Sequence, residues 1–251
     1  MDEAECFSEF RVQKHNVVRL ADALGLPESF TCPQRTKAGR IEGLCIYLKR
    51  LTYPCRLSDM IHRFGRAVPE LSMISSNVEH WIYRHHHQRI TQWNEALLNS
   101  DALQFYAEAI SQAGAALTNC FGFIDGTVRP ICRPGDNQRV VYNGHKRVHA
   151  LKFQSLTIPS GIIANLFGPV EGRKHDASML RDSNLLTTLE EHAFSPVGEP
   201  MCIYGDPAYP LRVHLQAPFR DRVLTPQMQA FNQSMSSVRE SVDFWRCHLY
   251  I

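Results

Sequence analysis

The chain has 251 residues, 44% of them apolar, and a formal net charge of +2, which permits one or two domains and allows a nucleic-acid partner without demanding one. Eight cysteines with no C-x-x-C pair exclude a disulfide scaffold, argue against a structural zinc and predict reduced thiols in the cytosol or nucleus. The acidic start MDEAECFSEF predicts no secretory leader, and no apolar run approaches the ~18 residues of a membrane span.

Up to about residue 118 the apolar spacing is helical, so 1–117 is expected to be an all-helical region. NVVRLADALGL (16–26) ends in a Gly-Leu-Pro stop. TKAGRIEGLCIYLKRLTYP (36–54) predicts a helix closed by Pro54. Ser58 is a candidate cap for DMIHRFG (59–65), with Gly65 as its stop. Ser72 or Ser75 would start a longer helix through NVEHWIYRHHHQRITQW (77–93), and ALQFYAEAISQAGAAL (102–117) reads as another. The stretch 58–89 has helix-turn-helix proportions. Its second helix carries Asn77, His80, Arg84 and His85, side chains suited to phosphates or base edges. Two packed helices with a solvated face fit the same pattern. Consecutive His85, His86 and His87 point about 100° apart on a helix, so they cannot converge on one ion.

From 118 to 251 the pattern changes to apolar and β-branched runs separated by turns, the mark of an α/β domain. CFGFIDGTVRPIC (120–132) predicts a strand that leaves its sheet at Asp125-Gly126. RVHALKFQSLTI (147–158) and IIANLFGPV (162–170) predict a hairpin around Pro159-Ser160-Gly161. HDASMLRDSNLLTTLEEHA (175–193) is an amphipathic helix. MCIYGDPAYP (201–210) is a short strand ending at Gly205-Asp206. A last helix covers 225–245, with Thr225 as its cap and Pro226 at its first position.

Asp125 and Asp206 thus stand at two strand ends, where ligands gather in sheets flanked by helices. Carboxylates suit Mg²⁺ or Mn²⁺, and a two-metal site needs such ligands around ions roughly 3.5–4 Å apart. Either Glu240 or Asp243 is available as a third acid. Met228, Phe231, Met235, Val238 and Val242 form one apolar stripe. Asp243 falls roughly 110° from the centre of that stripe and Glu240 roughly 170°. Asp243, at the flank, is therefore the better ligand. His145, Lys146, Arg147 and Lys152 flank the second strand and suit DNA phosphates, or form an exposed basic strand edge.

GFIDGTVRPICRP, YNGHKRVHALKFQS, GPVEGRKHDASMLRDSNLL, YGDPAYPLR and FNQSMSSVRESVDF resemble, in that order, the DDE endonuclease domain of PIF/Harbinger transposases. The resemblance implies an RNase H-like fold, a mixed sheet flanked by helices, and metal-dependent cleavage and joining of DNA strands. It places the family's first and second Asp on Asp125 and Asp206. The family's Glu, four positions after an Arg, falls on Asp243, since Arg239 is that Arg. His175-Asp176 matches a typical His-Asp pair, with Asp176 either capping its helix or joining the metals as an additional ligand. The resemblance also implies a nuclear location and a Myb-like partner protein.

Two features depart from the family pattern. Asp243 stands where Glu is usual, and the chain stops at Ile251, before the family's next helix and glycine motif. A C-terminally truncated endonuclease domain of weak or no activity is the corresponding expectation. The alternative reading is a transposon-derived DNA-binding or interaction module with an inactive nuclease. A metal hydrolase acting on another phosphorylated substrate is a third, disfavoured by the basic residues at 145–152.

Overall fold

A computed structural model describes residues 1–53 and 55–248, apart from the side chains of 241–248. The chain divides into two compact units, Met1–Gln88 and a second that begins at Arg89.

The first unit contains α1 (Glu3–Phe10), α2 (Lys14–Ala23), β1 (Ser29–Thr31), β2 (Lys37–Gly39), α3 (Arg40–Thr52), α4 (Ile61–Phe64) and α5 (Val68–His86). Its core gathers Phe10, Leu26, Phe30, Leu44 and Val78, with Ile46, Met60, Leu71 and Ile74 in a second cluster. The small antiparallel β1–β2 pair departs from the all-helical expectation. Residues 37–39 are held opposite 29–31, so α3 starts at Arg40. Its expected closing residue, Pro54, lies outside the described residues.

Gly65 ends α4 in the left-handed conformation, at φ 64°, as the sequence predicts. The caps before it and after it differ from the prediction. The Asp59 carboxylate, not the Ser58 hydroxyl, takes a backbone N–H, that of Arg56, at 3.1 Å. Neither Ser72 nor Ser75 starts α5. The helix begins at Val68 with a proline in its first turn, and Glu70 accepts the Ala67 N–H at 3.2 Å. Arg66 ties this corner together, donating to Glu42 at 2.6 Å and to the Lys37 carbonyl at 2.8 Å.

In the second unit, α6 (Gln88–Thr91), which starts at the divide, α7 (Glu95–Leu98) and α8 (Ser100–Gln112) precede β3 (Cys120–Pro130), α9 (Gln138–Val141), β4 (Tyr142–Asn143), β5 (Val148–Thr157) and β6 (Ile163–Glu171). Then come α10 (Asp176–Asp182), α11 (Leu185–His192), β7 (Cys202–Tyr204), β8 (Leu215–Gln216) and α12 (Pro226–His248). Because α8 packs on this unit's strands, the change of sequence character at 118 marks the first strand rather than the edge of the unit.

The strands run β6-β5-β3-β7-β8, with β4 beside the start of β5. β5 is antiparallel to β3 and to β6; β7 is parallel to β3 and to β8. This mixed sheet flanked by helices is compatible with an RNase H-like fold. One apolar cluster joins Phe121, Ile124, Leu156 and Ile203 of the strands to Leu103, Leu180 and Leu189 of the helices. The other joins Phe123, Cys202 and Tyr204 to Met235 and Val238 of α12.

β3 does not leave the sheet at Asp125. It stays paired with β5 as far as Pro130, so the local turn signal of Asp-Gly yields to a long antiparallel ladder. The helix expected over 175–193 is two helices. Ser183 spends its hydroxyl on the Leu180 carbonyl and accepts from Gln154, and Asn184 turns left-handed at φ 55°, which ends α10 and starts α11. α12 opens as the sequence predicts, with the Thr225 hydroxyl accepting the Met228 N–H at 3.3 Å. No helix among the described residues is long and apolar enough to cross a membrane.

Candidate active site

Parallel pairing sets Phe123 of β3 opposite Tyr204 of β7. β7 ends at Tyr204, and a continuation of that register by two residues would bring Asp206 level with Asp125. Gly205 supports the continuation, because a Cβ there would meet the Ile124 side chain and the Tyr209 ring. The Gly205 N–H also keeps the ladder toward β8, donating to the Gln216 carbonyl at 2.9 Å. Asp206 then turns the chain, its carboxylate accepting the Ala208 N–H at 2.8 Å.

Side chains alternate between sheet faces, so Asp125 shares its face with Phe123, the face that α12 covers. From that helix Arg239 reaches Asp125 at 2.7 Å. Met235 and Val238 are buried, Met228 and Phe231 are partly buried, and Glu240 is exposed, so the predicted stripe faces the sheet and Glu240 faces solvent. Asp243 lies in α12, but its side chain lies outside the described residues. Among the described residues, no three His, Cys, Asp or Glu side chains gather closely enough to hold a metal ion.

The opposite face of β3 carries a different acid. Gly126 pairs with Gln154, and Val128 with Lys152, so these residues point away from Asp125. The Asp176 carboxylate lies where a Gly126 Cβ would stand. Lys152, only 6% exposed, donates to Asp176 at 2.6 Å and to the Lys174 carbonyl at 2.8 Å. Two expectations change here. Lys152 is not an exposed edge cation: its ammonium is buried against a carboxylate, and the residue lines the groove beside it. Asp176 makes no helix cap; it occupies the first position of α10, after His175, and its charge is spent on Lys152.

Tyr209 reports the field at this point. It is 1% exposed, and its hydroxyl has no hydrogen-bond partner among the described residues. Burial pushes its pKa well above the usual phenol range. The charges of Asp176, Asp206 and Asp125 push it further, and Arg239 opposes them. All four charged groups therefore act on one buried ring.

A groove of about 880 Å³ opens beside these residues, lined among others by Asp206, Asp176, His145, Lys146, Arg173 and His175. Buried Asn143 assembles it: its side chain accepts the Lys146 N–H at 2.8 Å and donates to the Gly172 carbonyl at 2.7 Å. This brings the turn before β5 against the loop after β6. Gly172 is required, since a Cβ there would strike the carbonyls of Val141 and Ala150. His145, Lys146, Arg147, Arg173 and His175 are exposed. Arg84, the candidate contact in the other unit, is exposed on α5; Asn77 instead donates within that unit, to Met73 and Cys32. The sequence reading missed Arg173, Gly126 and Tyr209. The G-R-K-H-D run at 172–176 was the available signal for Arg173.

Residues 124–245 match the family model for the DDE superfamily endonuclease. No curated protein and no solved structure matches the chain. The matched endonuclease segment includes Asp125, Asp206, Arg239 and Asp243, and it supports a transposase-like nuclease in general, with DNA as its substrate.

Proposed function

We propose that the chain is a PIF/Harbinger-type, metal-dependent DNA endonuclease in which Asp125, Asp206 and Asp243 are the catalytic acids. The observation that supports this reading is the parallel pairing of Phe123 with Tyr204, two residues before Asp125 and Asp206 respectively, within the endonuclease-matching segment. The donor set fits a hard divalent cation: the acids supply oxygen ligands, and Asp125 already accepts a cation, the Arg239 guanidinium. Asp125, Asp206 and Asp243 would hold Mg²⁺ or Mn²⁺, which supplies charge stabilisation for the attacking and leaving oxygens of a phosphodiester displacement.

The remaining work falls to the chain's own residues. The Lys152–Asp176 pair ties β5 to α10 behind Gly126 of β3, the strand that carries Asp125. Exposed His145, Lys146, Arg147 and Arg173 hold the DNA backbone by charge. Arg84 adds a contact if α5 enters a groove. The nuclear location and the Myb-like partner enter this reading through the family resemblance.

Supercoiled-plasmid nicking in Mn²⁺ tests it. Asp125→Asn and Asp206→Asn should each abolish nicking, and Asp243→Ala should do the same, while Glu240→Ala should leave it near wild type. Full loss in Glu240→Ala with Asp243→Ala unaffected would reassign the third acid. DNA binding without any nicking in the parent chain would favour the inactive-module reading.

A further inference from the structure

We propose that Arg239 is a built-in counter-cation at the acid pair, and that a divalent ion must displace it from Asp125 to bind. The inference rests on Asp125 being a metal ligand, as proposed above. The guanidinium meets Asp125 Oδ1 at 2.7 Å, with the two side chains 18% and 25% exposed. Arg239 follows Val238, which is buried together with Met235 against Phe123 and Tyr204. The anchored helix therefore delivers the cation to the acid face rather than to solvent.

The charge is felt locally. Arg239 lowers the phenol pKa of both Tyr204 and Tyr209, against the burial that raises them. A divalent ion binds carboxylate oxygen at roughly 2.0–2.6 Å, depending on the ion. Bound through either oxygen of Asp125, it would lie only a few ångströms from the guanidinium, and two cations so close repel. Metal and Arg239 are thus alternatives on one carboxylate. The displaced guanidinium stays on its helix turn beside the acids, and its planar fork suits a phosphate bidentately. The same exchange would turn a resting counter-charge into a DNA contact at the site of cleavage.

The test is Mn²⁺ binding by the intact chain, read from the loss of free-ion electron paramagnetic resonance signal, for wild type, Arg239→Gln, Arg239→Lys and Asp125→Asn. Arg239→Gln should bind roughly two- to fivefold tighter, the scale of a partly exposed ion pair. Arg239→Lys should stay nearer wild type, because the charge persists. Asp125→Asn should bind weakly. Equal or weaker binding in Arg239→Gln, with binding lost in Asp125→Asn, would overturn the displacement and leave the metal site standing. Undiminished binding in Asp125→Asn would overturn the metal site itself. Wild type provides a check independent of variant folding: the Arg239 Nε resonance should shift as Mg²⁺ saturates the protein. A resonance that stays fixed through saturation would also refute the displacement.

Discussion

At the scale of single residues, the buried Lys152–Asp176 pair sits behind Gly126, on the face of β3 away from Asp125. Asp125 and Asp206 each follow a short apolar run, but Asp125 stands inside β3 rather than at its end, and Asp206 lies two residues past β7. Lys152 misled because its partner, Asp176, lies on a separate element, and an edge cation and a buried one look alike in sequence. Gly126 has the same character: it reads as part of a turn, yet its missing side chain makes room for a carboxylate. Gly126→Ala should therefore destabilise the second unit by about 1–3 kcal/mol through overpacking. The loss should appear as faster hydrogen exchange in β3 and β5. Lys152→Met should cost more, toward ~3 kcal/mol, because it strands the mostly buried Asp176 charge. The double variant Lys152→Met with Asp176→Leu should recover most of that loss. Additive losses in the double variant would show that the two side chains do not act as a pair.

At the scale of elements, long periodic segments were legible and their boundaries were not. α12 and the β5–β6 hairpin lie close to where apolar spacing sets them. β3 runs past its turn signal because β5 offers a partner for every residue, information held elsewhere in the chain. The start of α3 was hidden for the same reason, its first expected residues being taken by β2. The α3–α5 corner also carries a pH signature. The hydrogen bond from Arg66 pulls the Glu42 carboxyl below its ordinary pKa. A group lowered in the folded state stabilises fully above its unfolded pKa, and that stabilisation fades as pH falls through the folded value. Glu42→Gln should therefore speed hydrogen exchange of the buried α3 amides at about pH 7. Its difference from wild type should shrink as the medium is acidified. A difference that grows toward low pH would contradict the pairing.

For the whole molecule, composition alone is nearly silent about DNA, since a net charge of +2 over 251 residues gives little long-range attraction. Affinity must then come from where the cations stand. Lys146 and Arg173 are separated in sequence, but Asn143 and Gly172 bring their loops together at one groove, with Arg147 on the same turn. Each cation that neutralises a phosphate releases counterions and steepens the salt dependence by about 0.9 in log–log slope. The triple variant Lys146→Gln, Arg147→Gln and Arg173→Gln should lower the slope for duplex DNA by about 2–3. A control of equal net charge, with Arg11, Arg19 and Arg50 changed to Gln, removes three exposed cations of the first unit. Its slope should stay within about 0.5 of wild type, because overall charge acts weakly across a screened distance. Equal losses in the two triples would mean that binding follows net charge or draws on the first unit as well. A loss in the control alone would move the DNA interface to the helices before residue 88.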